Sequence, residues 1–221
     1  MEKSDFLVET RAFYDAVAED YDAQFRDHLQ DKPLEQALLG VFAESVGAGG
    51  TVADLGCGTG VVTAYLAGLG LSAFGIDLSG SMLAVARRNH PGLRFAQGSM
   101  LDLALADGSL AGAVSWYSSI HTPVDELPAL FAEFHRVLAP GGHLLLAFQV
   151  GEQPRRLDRP WGHPVVLDFQ RRRPERIAEL LRIAGFTLAS STVREPEEQS
   201  GKAEAGPEPI PQAFLFARKP V

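Results

Sequence analysis

The run Val52-Ala53-Asp54-Leu55-Gly56-Cys57-Gly58-Thr59-Gly60 gathers the residues best suited to hold a small ligand. Glycines at 56, 58 and 60 open backbone angles closed to other residues and let a ligand lie against the main chain. The apolar-periodic segment that follows presents free N–H groups and a positive dipole end to that ligand. A dinucleotide turn has the form G-x-G-x-x-G, but the third position of that pattern is Val61 here. Asp54 stands two residues before Gly56. A carboxylate at the mouth of the turn repels a pyrophosphate and suits a ligand bearing an ammonium group. Asp77 closes the next apolar run, 17 residues after Gly60. It is placed either to accept hydrogen bonds from both hydroxyls of a ribose or to cap a helix. Leu78 and Met82 follow it, where they pack against an adenine ring or in the core. His121 carries an imidazole, which titrates near neutral pH and suits a general base; packing or orienting is the other role open to it. Trp116 and Tyr117, just before it, are apolar bodies with polar tips, suited to wall a pocket or to fill the core.

Asp54 with the three glycines resembles motif I of the class I S-adenosylmethionine (SAM)-dependent methyltransferases. Tyr14-Asp15-Ala16-Val17-Ala18-Glu19-Asp20-Tyr21 resembles the N-terminal segment of many members, and His135-Arg136-Val137-Leu138-Ala139-Pro140-Gly141-Gly142 resembles the segment before their fifth strand. The resemblance runs from about Tyr14 to Phe148 and implies a SAM site. Its contacts would come from Tyr21, Asp54, Gly56, Cys57, Gly58, Gly60, Asp77, Leu78 and Met82. Gly98, Ser99, Met100, Trp116 and Tyr117 would complete it, although Ser99 stands where many members carry an aspartate for the adenine amino group. His121 would be the catalytic residue, and Tyr14, Trp161 and His163 would meet the acceptor. The activity implied is methyl transfer to a small molecule by in-line displacement. The alternatives are a non-catalytic SAM-binding protein and a NAD-type oxidoreductase, the latter opposed by Val61 and Asp54.

The remaining composition narrows the field. The net charge of −8 over 221 residues opposes a general nucleic-acid binder. Cys57 is the only cysteine, so no intrachain disulfide forms. Zinc motifs, a lysine P-loop and a G-x-S-x-G nucleophile elbow are missing, and no metal is expected. No apolar run approaches the roughly 18 residues of a membrane span. The first five residues are too polar for a signal peptide, so a cytoplasmic protein is expected. Monomer and homodimer remain equally open.

Alternating apolar and amphipathic segments predict one domain over residues 1–221. The expected fold is α/β, Rossmann-like and doubly wound. Its sheet is seven-stranded and mostly parallel, with helices on both faces and an antiparallel last strand. Residues 1–47 read as N-terminal cap helices, the first over 5–30 and the second from Pro33. Residues 48–150 read as the cofactor-binding core, in which Asp125 is placed to cap the helix before the fifth strand. Residues 151–172 hold three prolines and little periodicity, and read as a structureless substrate loop or lid. Residues 173–221 read as a helix and a hairpin whose connection, 195–211, is a mobile loop.

Overall fold

The computed structural model describes residues 5–196 and 210–221. Its strands are β1 (Thr51–Leu55), β2 (Ser72–Asp77), β3 (Arg94–Gln97), β4 (Leu110–Trp116), β5 (Leu138–Gln149), β6 (Arg155–Asp158), β7 (Val166–Phe169), β8 (Thr187–Arg194) and β9 (Gln212–Arg218). Its helices are α1 (Asp5–Phe25), α2 (Pro33–Val46), α3 (Val61–Gly68), α4 (Gly80–Asn89), α5 (Leu127–Val137) and α6 (Pro174–Ile183).

Seven strands form one sheet in the order β3-β2-β1-β4-β5-β9-β8, in which β9 runs antiparallel to both its neighbours. The last two strands differ in burial. Gln-Ala-Phe-Leu-Phe-Ala is buried nearly throughout and takes the interior position, whereas the Ser- and Thr-rich β8 alternates exposed residues and forms the edge.

Side-chain alternation then sorts the core into two layers. Ala53, Leu55, Leu144, Leu146 and Phe148 point toward α5 and α6, where Leu130, Phe131, Phe134 and Leu181 close the larger cluster. Val52, Val114, Trp116, Leu145, Ala147 and Phe214 point the other way, against Leu39 and Phe42 of α2 and Leu66 of α3. Strand order reverses between β1 and β4, and the crevice for a ligand lies beyond their carboxyl ends. Over this crevice, α1 packs Phe13, Val17 and Ala18 on Met82 and Val85 of α4 and on Leu167 of β7.

Three expectations are corrected. The first helix ends at Phe25, and turns occupy 26–31. Asp125 does not cap α5; it lies in a 3₁₀ turn over Val124–Glu126, and the residue before α5, Glu126, makes no side-chain cap. Residues 151–172 are not structureless, because β6 and β7 pair as an antiparallel hairpin within them. Leu157, Leu167 and Phe169 give that hairpin an apolar side that packs with the α1 cluster. Only 195, 196, 210 and 211 of the expected 195–211 loop are described; 197–209 lie outside the described residues, as do residues 1–4. Among the described residues no helix is long and apolar enough to cross a membrane.

Candidate active site

The turn after β1 is built from glycine because its geometry excludes a side chain. Gly56 and Gly58 have φ of 74° and 53°, and a Cβ on Gly56 would stand 2.3 Å from the Cβ of Ser118. Ser118 is fixed in turn by donating to the Leu55 carbonyl at 2.5 Å. Gly60, at φ 84°, lines neither cavity described below; its missing Cβ leaves room for Phe95. Gly56 and Cys57 donate their N–H groups to the Ile76 carbonyl, tying the turn to β2.

Two carboxylates flank this turn. Asp77 accepts from the backbone N–H of Gly58 and of Ser79, each at 2.8 Å through a different oxygen. Burial pushes its pKa up, and those N–H groups oppose the shift. Asp54 is 1 % exposed and accepts from the Thr63 hydroxyl at 2.6 Å through Oδ2. Its Oδ1 is buried without a partner. Burial raises the Asp54 pKa to about 7, with the Thr63 hydrogen bond opposing and the Asp77 charge adding. The end of the turn is therefore electronegative and short of hydrogen-bond donors, which suits a cation.

Two adjoining cavities open on the turn. The smaller, of about 90 Å³, is lined by Asp77, Leu78, Met82, Gly98, Ser99 and Met100, with Phe6, Leu7 and Thr10 of α1 above them. The larger, of about 400 Å³, is lined by Asp54, Cys57, Trp161, Phe169 and Gln149, among others. Tyr14, Tyr21, Gly56, Gly58, Trp116 and Tyr117 line both. Tyr117 holds φ at 54°. Backbone strain in a residue other than glycine concentrates at functional sites, and here it falls between the cavities. Cys57 is an inert wall residue, its thiol pushed well up by burial.

His121 sits in a 3₁₀ turn after β4, half-buried against Phe169 with ring centroids 4.8 Å apart. Its Nε2 is 2.7 Å from the Tyr14 hydroxyl. Its Nδ1 is buried with no hydrogen-bond partner. A proton on Nδ1 leaves Nε2 to accept from Tyr14. Burial lowers the ring's pKa to about 4, helped by the Arg172 charge. The expectation of a group titrating near neutral pH is therefore corrected: the ring is neutral across the physiological range. Burial likewise raises Tyr14 well above the usual phenol value, and Tyr21 to about 12.

Sequence reasoning gave no role to several contributors. Thr63 belongs to α3 and reaches Asp54 only because that helix folds back over β1. Asp15 docks α1 onto the N-terminus of α4, accepting from the Ser79 hydroxyl at 2.6 Å and the Ser81 N–H at 3.1 Å. That places a carboxylate at the favourable end of the α4 dipole. Of the two hairpin residues expected to meet an acceptor, Trp161 lines the larger cavity and donates to Gln24 at 3.0 Å. His163 lines neither cavity and lies 2.8 Å from Asp20 instead, holding the hairpin to α1.

A methyltransferase-domain family model matches residues 52–142, from the start of β1 into β5. Over that stretch the chain is similar to methyltransferase domains. The chain is 33 % identical over 115 residues to a malonyl-[acyl-carrier protein] O-methyltransferase of Pectobacterium atrosepticum, covering 50 % of this chain and 43 % of that protein. It is 31 % identical over 139 residues to a demethylmenaquinone methyltransferase of Chlorobaculum parvum, covering 60 % and 56 %. The chain thus spans about half the length of the curated relatives it matches. The fold match is more extensive: the DhpI–SAH complex superposes with a TM-score of 0.75 over 99 % of each chain at 23 % identity. Outside residues 52–142, α1, the β6–β7 hairpin and the edge residues Gln149, Arg194 and Gln212 are among the walls of the larger cavity. Among the described residues no His, Cys, Asp and Glu side chains group as metal ligands would.

Proposed function

We propose that this protein transfers a methyl group from SAM to a small-molecule acceptor held in the larger cavity. The observation that carries the reading is the buried, unpartnered Oδ1 of Asp54 at the glycine turn. An ammonium group satisfies that oxygen and returns the carboxylate to its charged form. Asp77, whose oxygens are held by two backbone N–H groups, keeps lone pairs for ribose hydroxyls. Leu78 and Met82 give an adenine ring apolar walls, and Ser99 or the Met100 backbone meets its edge. The sulfonium supplies an electrophilic methyl group.

The protein aligns the acceptor behind that methyl group, excludes water and takes up a proton. Tyr14 and His121 are the groups for the last task. The phenol oxygen accepts the acceptor's proton while its own proton passes to the neutral Nε2 of His121. The segments 1–47 and 151–172 shape the acceptor pocket, with α1 closing over the smaller cavity and Trp161 over the larger. The small-molecule class is supported by a cavity of about 400 Å³, at the lower end of the usual range for such sites. Relatives named for a quinone and an acyl-carrier substrate agree with methyl transfer as the chemistry. The net charge of −8 supports an acceptor other than nucleic acid.

The test is incubation with methyl-labelled SAM and a library of hydroxyl, amine and carbon acceptors, read by product mass. The expected result is a labelled product with matching release of S-adenosylhomocysteine. Tight binding of both cofactor forms with no labelled product would favour a non-catalytic SAM-binding protein.

A further inference from the structure

The larger cavity contains polar atoms that the transfer chemistry leaves unused. At the carboxyl edge of the sheet, Gln149 of β5, Gln212 of β9 and Arg194 of β8 are successive neighbours in register, and all three line the cavity. Two of them are committed. Gln212 donates its amide to the Ile210 carbonyl at 3.0 Å, and Arg194 pairs with Glu35 of α2 at 3.2 Å. The amide oxygen of Gln149 is buried with no partner.

One rung deeper on the same sheet face, Ala147 lies between Trp116 and Phe214. The rings of Trp116 and Phe214 are 5.4 Å apart and tilted by 37°, an aromatic floor under the polar row. Trp116 is 7 % exposed, and its indole N–H also has no partner. A buried donor and a buried acceptor thus stand unsatisfied on adjacent rungs of one cavity-lining face. They start from diagonal neighbours on the paired strands β4 and β5, so one flat bicyclic molecule can meet both side chains. Native interiors rarely leave such groups unpaired, so the missing partners are expected on the ligand.

We propose that Trp116 and Gln149 recognise the methyl acceptor, and that this acceptor is a planar ring system. It carries a carbonyl-type oxygen for the indole N–H and a ring N–H or hydroxyl for the Gln149 amide, the pattern of a lactam or a hydroxylated heteroaromatic. The aromatic walls supplied by Tyr14, Tyr21, Phe25 and Trp161 suit such a ring. This inference rests on the methyltransferase reading, because it assigns the cavity to the acceptor.

The experiment loads the protein with S-adenosylhomocysteine and titrates two probes by calorimetry or ligand-observed NMR. Quinolin-2(1H)-one offers both groups, and 1-methylquinolin-2-one lacks the donor. The expected result is binding of the first at least about tenfold tighter than the second, as an orphaned buried hydrogen-bonding group imposes. Gln149→Met, which keeps the side-chain volume, should abolish that preference. Trp116→Phe should weaken both probes alike, since both keep the carbonyl. If S-adenosylhomocysteine binds but neither probe does, or the two bind equally, or Gln149→Met retains the preference, the recognition pair is wrong while the cofactor reading stands. If S-adenosylhomocysteine itself does not bind, the cofactor reading falls and takes this inference with it.

Discussion

Tyr14→Phe and His121→Gln should each lower kcat by about 10²–10⁴-fold on a hydroxyl acceptor, the range for loss of general acid–base help. The phenol and the imidazole are 2.7 Å apart and half-buried, so each removal breaks the same relay and the double variant should lose little more than either single one. SAM affinity should change far less than kcat. The wild-type pH profile is the sharper part of the prediction. With the ring held at about 4 and the phenol well above its usual value, neither group changes charge between about pH 5.5 and 8.5. The rate on a hydroxyl acceptor that does not itself ionise there should be flat across that window. A limb near 6.5 that vanishes in His121→Gln would show the imidazole titrating in the ordinary way and would overturn the relay. With an amine acceptor, a limb shared by wild type and variant belongs to the acceptor.

Asp77→Ala should weaken SAM and S-adenosylhomocysteine binding by about ten- to a hundredfold. Loss of hydrogen bonds to a charged acceptor costs about 1.5–3 kcal/mol, and 1.4 kcal/mol is tenfold. The stability effect should be smaller than the loss of two backbone partners suggests. Removing the side chain leaves the N–H groups of Gly58 and Ser79 unpaired, which destabilises the turn. It also removes a carboxylate whose burial raises its pKa, which relieves the folded state. The two contributions oppose each other. Calorimetry gives the dissociation constants, and thermal unfolding gives the stability. Unchanged affinity beside a large loss of stability would make Asp77 a fastener of the turn with no part in ribose binding.

The sequence made the frame of the site legible wherever backbone geometry demands a residue type at a fixed spacing. The positive φ angles at 56, 58 and 60 require glycine, and a carboxylate at the end of β2 follows from an apolar run that stops at Asp77. The interior place of β5 was readable because 143–150 is nearly all apolar, and so was the terminal hairpin at one sheet edge; that β9 lies inside and the Ser- and Thr-rich β8 outside follows from the structure. What stayed hidden depends on contacts between distant segments. Thr63 is an unremarkable helix residue until α3 packs back on Asp54. Asp15 looked like part of a motif, but its work is to hold α1 on α4. The low pKa of His121 arises from burial under Tyr14 and Phe169, which local sequence does not encode. The β6–β7 hairpin was obscured by prolines and arginines; its short strands are stabilised by docking on α1 and carry little periodicity of their own. His163 was singled out for its chemistry, but it sits on the side of the hairpin that faces Asp20.

The central claim is that the glycine turn with Asp54 binds the ammonium and sulfonium of SAM and does not bind a dinucleotide. The direct measurement is the dissociation constant of SAM by calorimetry between about pH 5.5 and 8, with NAD titrated in parallel. Asp54 holds its proton until about pH 7 in the free protein, and only the charged carboxylate pairs with an ammonium. Affinity for SAM should therefore strengthen as pH rises toward 7 and level off above it. Asp54→Asn should bind more weakly with no such slope, and NAD should give no heat. Tight NAD binding without SAM binding, or a SAM dissociation constant in the wild type that ignores pH across this window, would contradict the account.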